Sequence, residues 1–201
     1  SNQFSGTIPT AISGLTNLQN LYLDGNQFVG PLPVELFTTT HLVSLSLSNN
    51  KLSGGLPTDI SSPQLLFVYL SNNLLTGVIP TAIGEWTQLH ELYINGNTIS
   101  GAIPSELYKL TTLKNISLGD TSLSGSISTQ LGLMTNLVLF GASNCGLVGS
   151  LPSEMVNLVR IVEFDVSYNK LTGTISNDIS NLNLMILLDI SSNSLTGSIP
   201  S

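Results

Sequence analysis

The sequence predicts an α/β repeat solenoid with a parallel inner β-sheet and short 3-10 or irregular outer segments. Two observations carry that expectation. The first is self-similarity, because a fixed period of 20–50 residues marks a solenoid. The segment Leu18-Gln-Asn-Leu21-Tyr-Leu23-Asp-Gly-Asn26-Gln-Phe28-Val-Gly30-Pro-Leu32-Pro33 recurs, with its anchor at Asn2, Asn26, Asn50, Asn73, Asn97, Thr121, Cys145, Asn169 and Asn193. The spacing is 24 residues, except for one 23-residue step between Asn50 and Asn73. The missing residue falls between Ile60 and Leu65, on the return path away from the strand. The second observation is local: in Leu21-Tyr22-Leu23 and its equivalents, apolar residues flank an outward one, the period of a strand.

Each part of the repeat has its own reason. A single coil cannot bury its leucines alone, so coils stack and neighbouring strands pair in parallel about 4.8 Å apart. The anchor asparagine stands where the chain leaves the strand, and its amide both donates and accepts hydrogen bonds. Thr121 and Cys145 fill that slot with fewer or weaker bonds, and nothing cationic lies beside Cys145 in sequence to make it a reactive thiol. Glycines such as Gly30, Gly54, Gly77, Gly101 and Gly125 allow a tight bend. The prolines that follow (Pro33, Pro57, Pro80, Pro104, Pro152) preset φ for a short helical turn. Ser128 and Ser176 replace that proline, which predicts two looser turns. Eight strand units of about 24 residues are expected, spanning 1–201 as a single solenoid that reads as an uncapped fragment of a longer protein.

Composition narrows the function. The chain is 41% hydrophobic and 8% charged, with 36 leucines, unlike a disordered chain. Its net charge of −7 excludes a nucleic-acid binder working through bulk charge. The longest apolar run, Leu65 to Leu70, is too short to span a membrane, and no secretory leader is present at the N-terminus. One cysteine permits no internal disulfide.

Five acids, Glu35, Asp59, Glu106, Glu154 and Asp178, fall two residues after the proline or its replacement, where a helical N-terminus favours them. Trp86 shares a column with Leu15, Leu110, Met134, Leu158 and Leu182, so it is expected in the core. The informative positions point out of the inner sheet in three columns. The first reads Asn20, Ser44, Phe67, Glu91, Asn115, Leu139, Glu163, Leu187. The central one reads Tyr22, Ser46, Tyr69, Tyr93, Ser117, Gly141, Asp165, Asp189. The third, from Asp24 to Ser191, is nearly all small and polar.

Phe67, Tyr69 and Tyr93 fall on adjacent strands with Tyr22 two strands away, a grouping that suits an interaction hot spot or rungs that stiffen the sheet. Glu163, Asp165 and Asp189 share one face, as a solvated patch, a dock for a basic partner, or oxygen ligands for a weak calcium ion. An open sheet gives carboxylates no desolvation to separate their pKa values, and His41 and His90 stand apart from any nucleophile arrangement, so no catalytic site is expected. No cofactor motif occurs.

The repeat resembles the leucine-rich repeats, specifically their plant-type subclass, L-x-x-L-x-L-x-x-N-x-L-x-G-x-I-P. The resemblance covers essentially the whole chain and implies a right-handed superhelix. It is similar to the ectodomains of plant receptor-like kinases and receptor-like proteins. That implies extracellular display, a parent anchored in the plasma membrane, and recognition of a peptide, small hormone or co-receptor. Tyr22, Phe67, Tyr69, Glu91, Tyr93, Glu163, Asp165 and Asp189 are the expected contact residues, with neither nucleic acid nor membrane touching this segment. The same repeats resemble secreted polygalacturonase inhibitors. A third class is recognition of ice or polysaccharide through the ladder Ser5, Val29, Ser53, Thr76, Ser100, Ser124, Val148, Thr172, Thr196. The single glycosylation sequon is Asn115-Ile116-Ser117, on the inner face, where a glycan would obstruct the middle strands.

Overall fold

The computed structural model describes residues 2–61 and 64–199. Ser62 and Pro63, within the stretch where the short repeat is expected to lose its residue, lie outside the described residues. Each unit contributes one short inner strand: Asn20–Tyr22, Ser44–Ser46, Phe67–Tyr69, Glu91–Tyr93, Asn115–Ser117, Leu139–Gly141, Glu163–Asp165 and Leu187–Asp189. They pair in chain order as one eight-stranded parallel sheet, and we number the coils 1 to 8 after them. The register places equivalent residues side by side, so Tyr22 meets Ser46, Ser46 meets Tyr69, and Asp165 meets Asp189. The three outward columns therefore run across the sheet without slippage.

The inward residue of each strand forms the core. Leu45, Val68, Leu92, Ile116, Phe140 and Phe164 are essentially inaccessible, and so are Leu47, Leu70, Ile94, Leu118, Ala142 and Val166 one step on. Phe140 and Phe164 stack at 5.2 Å between ring centroids. Trp86 is buried and stacks on Phe37 at 5.9 Å, the core role its column predicts. Each such side chain stabilises by roughly 1.5–3 kcal/mol before entropy is counted.

The anchor asparagines bind coil to coil. Asn73 donates from Nδ2 to the carbonyls of Leu47, Leu70 and Ser71, while its Oδ1 accepts from the Leu52 amide at 3.0 Å. Asn50, Asn97, Asn169 and Asn193 repeat the pattern, reaching back to Leu23, Leu70, Ala142 and Val166. Thr121 reaches only Leu118 and the Cys145 sulfur. Cys145 donates long bonds to Leu118 and Ser143, and burial pushes its thiol pKa up, so it is held as an inert anchor. Both lack the amide acceptance that every neighbouring asparagine provides.

The residue before each anchor turns through positive φ: Asn49, Asn72, Asp120, Asn144, Tyr168 and Ser192, with Gly25 and Gly96 completing the series. Gly96 cannot be replaced without moving Asn72, whose Oδ1 occupies the space a Cβ would take. Beyond the anchor, the chain forms further strands that pair laterally. One sheet of four runs from Ser5–Thr7 to Leu74–Leu75, and another of five from Ser100–Ala102 to Ser194–Leu195. Between the two sheets Val78 and Ser100 form an isolated bridge, and the Thr98 and Ser100 amides donate to the Leu75 and Gly77 carbonyls.

The return segments hold seven short 3-10 helices among the described residues. Pro9, Pro33, Pro80 and Pro152 precede them with φ between −63° and −73°. Ser128 and Ser176 are not loose. Each adopts proline-like φ, and its side chain accepts from Gln130 N or Asp178 N, a cap that proline cannot make. Asp59 differs from expectation in standing on no helix, and Glu106 occupies a cap rather than a first turn.

Asn97→Ala should lower stability by about 3 kcal/mol, because it leaves several buried backbone groups unpaired. Cys145→Asn should raise it by about 1 kcal/mol. Urea-unfolding midpoints check both, and the account fails if the two substitutions shift them in the same direction.

Candidate ligand-binding face

The outward columns form the concave face, most of whose side chains stay clear of the core, although Ser44, Ser71 and Ser167 are buried. Tyr69 and Tyr93 lie in register on coils 3 and 4, with ring centroids 5.4 Å apart and planes tilted by 41°. The Tyr69 hydroxyl donates to Glu91 Oε2 at 2.7 Å. Phe67 packs instead near His90, at 6.2 Å, and His90 Nδ1 bonds the Gln88 carbonyl. All three aromatics are half-buried. Tyr22 is 62% exposed and is separated from Tyr69 by the Ser46 strand, so it stands outside the group.

Burial, the bond to Glu91 and the Glu91 charge push the Tyr69 phenol well above its ordinary value of 10.0. Burial and the charges of Glu91 and Glu163 raise Tyr93 in the same direction. Coils 3 and 4 thus present a preassembled Tyr-Glu-Tyr group whose phenols stay protonated, with the Tyr69 proton engaged by Glu91.

The acidic residues are arranged differently. Asp165 and Asp189 are paired across coils 7 and 8, while Glu163 pairs with Leu187. Asp165 Oδ1 accepts from Ser167 N at 2.9 Å and Ser167 Oγ at 2.7 Å. Asp189 makes the same two bonds to Ser191, which hold its carboxyl pKa low. Each carboxylate is thereby oriented by its own turn. Among the described residues, no three His, Cys, Asp or Glu side chains form a group that could hold a metal ion. Asn115 sits half-buried on coil 5 between Glu91 and Leu139.

One feature of this face escaped the sequence reading. Between Leu139, Glu163, Asp165 and Leu187 on one side and Asn95 and Ser117 on the other, a hollow of about 260 Å³ opens over Gly119 and Gly141. The signal was a glycine in a central column where the other seven coils carry a side chain. A second hollow of about 330 Å³ lies on the return side, lined by Ile12, Leu15, Leu18, Leu36, His41 and Leu42 among others. There Thr39 occupies the column position filled elsewhere by leucine, methionine or Trp86, and the outer packing is correspondingly thinner.

The lateral ladder is less regular than its sequence. Ser100, Thr172 and Thr196 turn their hydroxyls onto the carbonyls of Gly77, Gly149 and Gly173 on the preceding coil. Among the described residues no helix is long and apolar enough to cross a membrane.

Stacked parallel strands, an asparagine anchor and a concave face of variable residues define a repeat protein of the leucine-rich class. The family model described as Leucine Rich Repeat matches residues 17–38, 41–63, 64–86, 88–110 and 160–182, more than half of the sequence, and the chain belongs to that family. No functionally curated protein matches the sequence. Among solved structures, the plant peptide hormone receptor RGFR1 in complex with RGF2 is similar at 36% identity and a TM-score of 0.96, over 98% of this chain and 32% of that one. The Arabidopsis receptor kinase HAESA, in complex with the peptide hormone IDA and the co-receptor SERK1, is 30% identical, with a TM-score of 0.91 over 99% of this chain and 37% of that one. A plant ice-binding protein is 26% identical, with a TM-score of 0.88 over 98% and 63%. The chain therefore spans about a third of the two receptor chains.

Because the Tyr69 and Tyr93 phenols ionise later in the folded than in the unfolded chain, native stability should be full below pH 10.0 and decline as pH rises above it. Glu91→Gln should make that decline shallower. Phenolate absorbance combined with unfolding midpoints across the alkaline range checks this, and an unchanged slope in the variant counts against the coupling.

Proposed function

We propose that this chain is a non-catalytic recognition module, part of the extracellular region of a receptor-like, membrane-anchored protein, and that it binds a polypeptide on its concave face. Residues 1–201 form one solenoid within a larger ectodomain on this reading. The observation that carries it is the fit of almost the whole chain onto the ectodomains of plant receptors that were solved with peptide hormones bound. The chemistry of the face supports it. Phe67, Tyr69, Glu91 and Tyr93 offer rigid rings with a polar handle, the composition of a hot spot, and Glu163, Asp165 and Asp189 add charge at the other end. Open, shallow geometry suits an extended peptide better than a substrate that must be desolvated. Asn115 is proposed as the glycan acceptor, and occupancy there would narrow the usable face.

Recognition of ice, suggested by the similar plant ice-binding protein, is less well supported. Several ladder hydroxyls are bonded within the protein, and the lateral sheet is interrupted between coils 3 and 4.

Selection of random displayed peptides on the wild-type chain tests the proposal. Selected peptides should lose at least about tenfold in affinity for a Phe67→Ala, Tyr69→Ala, Tyr93→Ala triple variant. Peptides that bind both proteins equally would remove the aromatic group from the site, and a failure to select any peptide would remove the function.

A further inference from the structure

The concave face carries one sign of charge. Its three columns hold Asp24, Glu91, Glu163, Asp165 and Asp189, with no lysine, arginine or histidine. All five basic residues, Lys51, Lys109, Lys114, Arg160 and Lys170, lie off those columns. Among the described residues the one ion pair, Lys109 with Glu106 at 3.7 Å, belongs to the return side. Among the described residues no concave carboxylate is in an ion pair. Glu163 is exposed and has neither a hydrogen bond nor an ion pair. Asp165 directs one oxygen to Ser167 and leaves Oδ2 without a hydrogen bond.

Those two carboxylates border the hollow over Gly119 and Gly141, and the two glycines differ in kind. A Cβ at Gly119 would stand 2.9 Å from the Ser143 carbonyl oxygen, so close packing of coils 5 and 6 accounts for it. A Cβ at Gly141 would meet nothing closer than Ser117 Oγ at 3.7 Å, which is ordinary contact. Nor is its φ positive. The other coils carry Tyr, Ser or Asp at this position. The fold tolerates a side chain at Gly141, yet the chain has none, and the result is an anionic recess in an otherwise filled column.

The recess continues toward the rim. Asp120 and Ser143 line both it and an adjoining hollow bounded by Asn144, Ser167 and Tyr168. Tyr168 is 64% exposed and holds φ at 52°, a conformation its bulky side chain disfavours and that asparagine, aspartate, serine or glycine adopts on other coils. Its exposed ring shares the adjoining hollow with Asp120 and offers a face to a cation.

We propose that the recess over Gly141 binds one cationic side chain, arginine or lysine, of a polypeptide ligand, with Glu163 and Asp165 as its charge partners and Gly141 as the specificity-determining position. This rests on the concave face being the binding face. Leu139 and Leu187 flank the carboxylates and would pack the aliphatic stem of such a side chain while its head reaches the acids. A side chain at 141 closes the recess without disturbing the coil.

A positional-scanning library of synthetic hexapeptide mixtures, each with one defined residue, tests this by fluorescence polarisation on the unglycosylated chain. Mixtures defined as arginine or lysine should bind most tightly to the wild type and weaken as salt rises. Gly141→Tyr, Glu163→Gln and Asp165→Asn should each reduce that preference about tenfold, with melting temperatures near that of the wild type. Binding that shows no basic preference, or that survives Gly141→Tyr, overturns the recess assignment. If such binding is still lost in the aromatic triple variant, the concave-face reading stands without the recess. If no mixture binds the wild type, both fall.

Discussion

Every level of this structure depends on a single amide at the point where each strand ends. The chain must turn sharply within the three residues between the inner strand and the anchor, and the turn strands carbonyls and amides in the interior where water cannot reach them. An asparagine there reaches its own coil, through bonds such as Asn73 to Leu70 and Ser71, and the coil before it, through bonds to Leu47 and Leu52. Apolar stacking supplies most of the stabilisation, but it does not specify register. The amide does, because a coil displaced along the stack would leave those groups unpaired. Where Thr121 and Cys145 stand in, the core remains buried and the ladder thins.

Fixed register is what gives the concave face its chemistry. Side chains one repeat apart come side by side on neighbouring strands, so columns written 24 residues apart become rows of contacts. Tyr69 reaches Glu91 across one strand gap and faces Tyr93 across the same gap. Asp165 and Asp189, each held by its own serine, form an oriented acidic pair. The aromatic end is therefore partly self-satisfied, with its rings half-buried and its hydroxyl engaged. Glu163 and the open oxygen of Asp165 retain unmet electrostatic demand, and the recess lies beside them.

Much of this was legible in the sequence because a strict period converts composition into geometry. The strand, the anchor and the outward columns follow from spacing alone, as does the buried role of Trp86. What escaped has physical causes. The lateral strands contain glycine and polar residues, and pairing there comes from coil stacking rather than from an alternating pattern, so nothing in the local sequence marks them. Ser128 and Ser176 lack the fixed φ of proline, yet each serine side chain caps its turn and so holds it as firmly. Asp59 follows the repeat in sequence without the helix. Gly141 was visible as a gap in a column, but its meaning required knowing that the backbone does not need glycine there, which only the surrounding atoms reveal. Tyr168 stands out only through its positive φ, which the sequence does not mark.

Native-state hydrogen exchange resolved by residue tests the central role of the amide ladder most directly. The amides of Leu52, Leu75 and Leu147 each donate to an asparagine Oδ1 on the next coil. The equivalent amides of Ile99 and Leu123 meet Thr121 and Cys145 positions that do not accept from them. Although Ile99 and Leu123 lie in the middle of the stack and are fully buried, they should exchange faster than the other three. Equal or greater protection at Ile99 and Leu123 would mean that apolar stacking alone holds the coils in place, and that the asparagine ladder is not what the rest of the structure depends on.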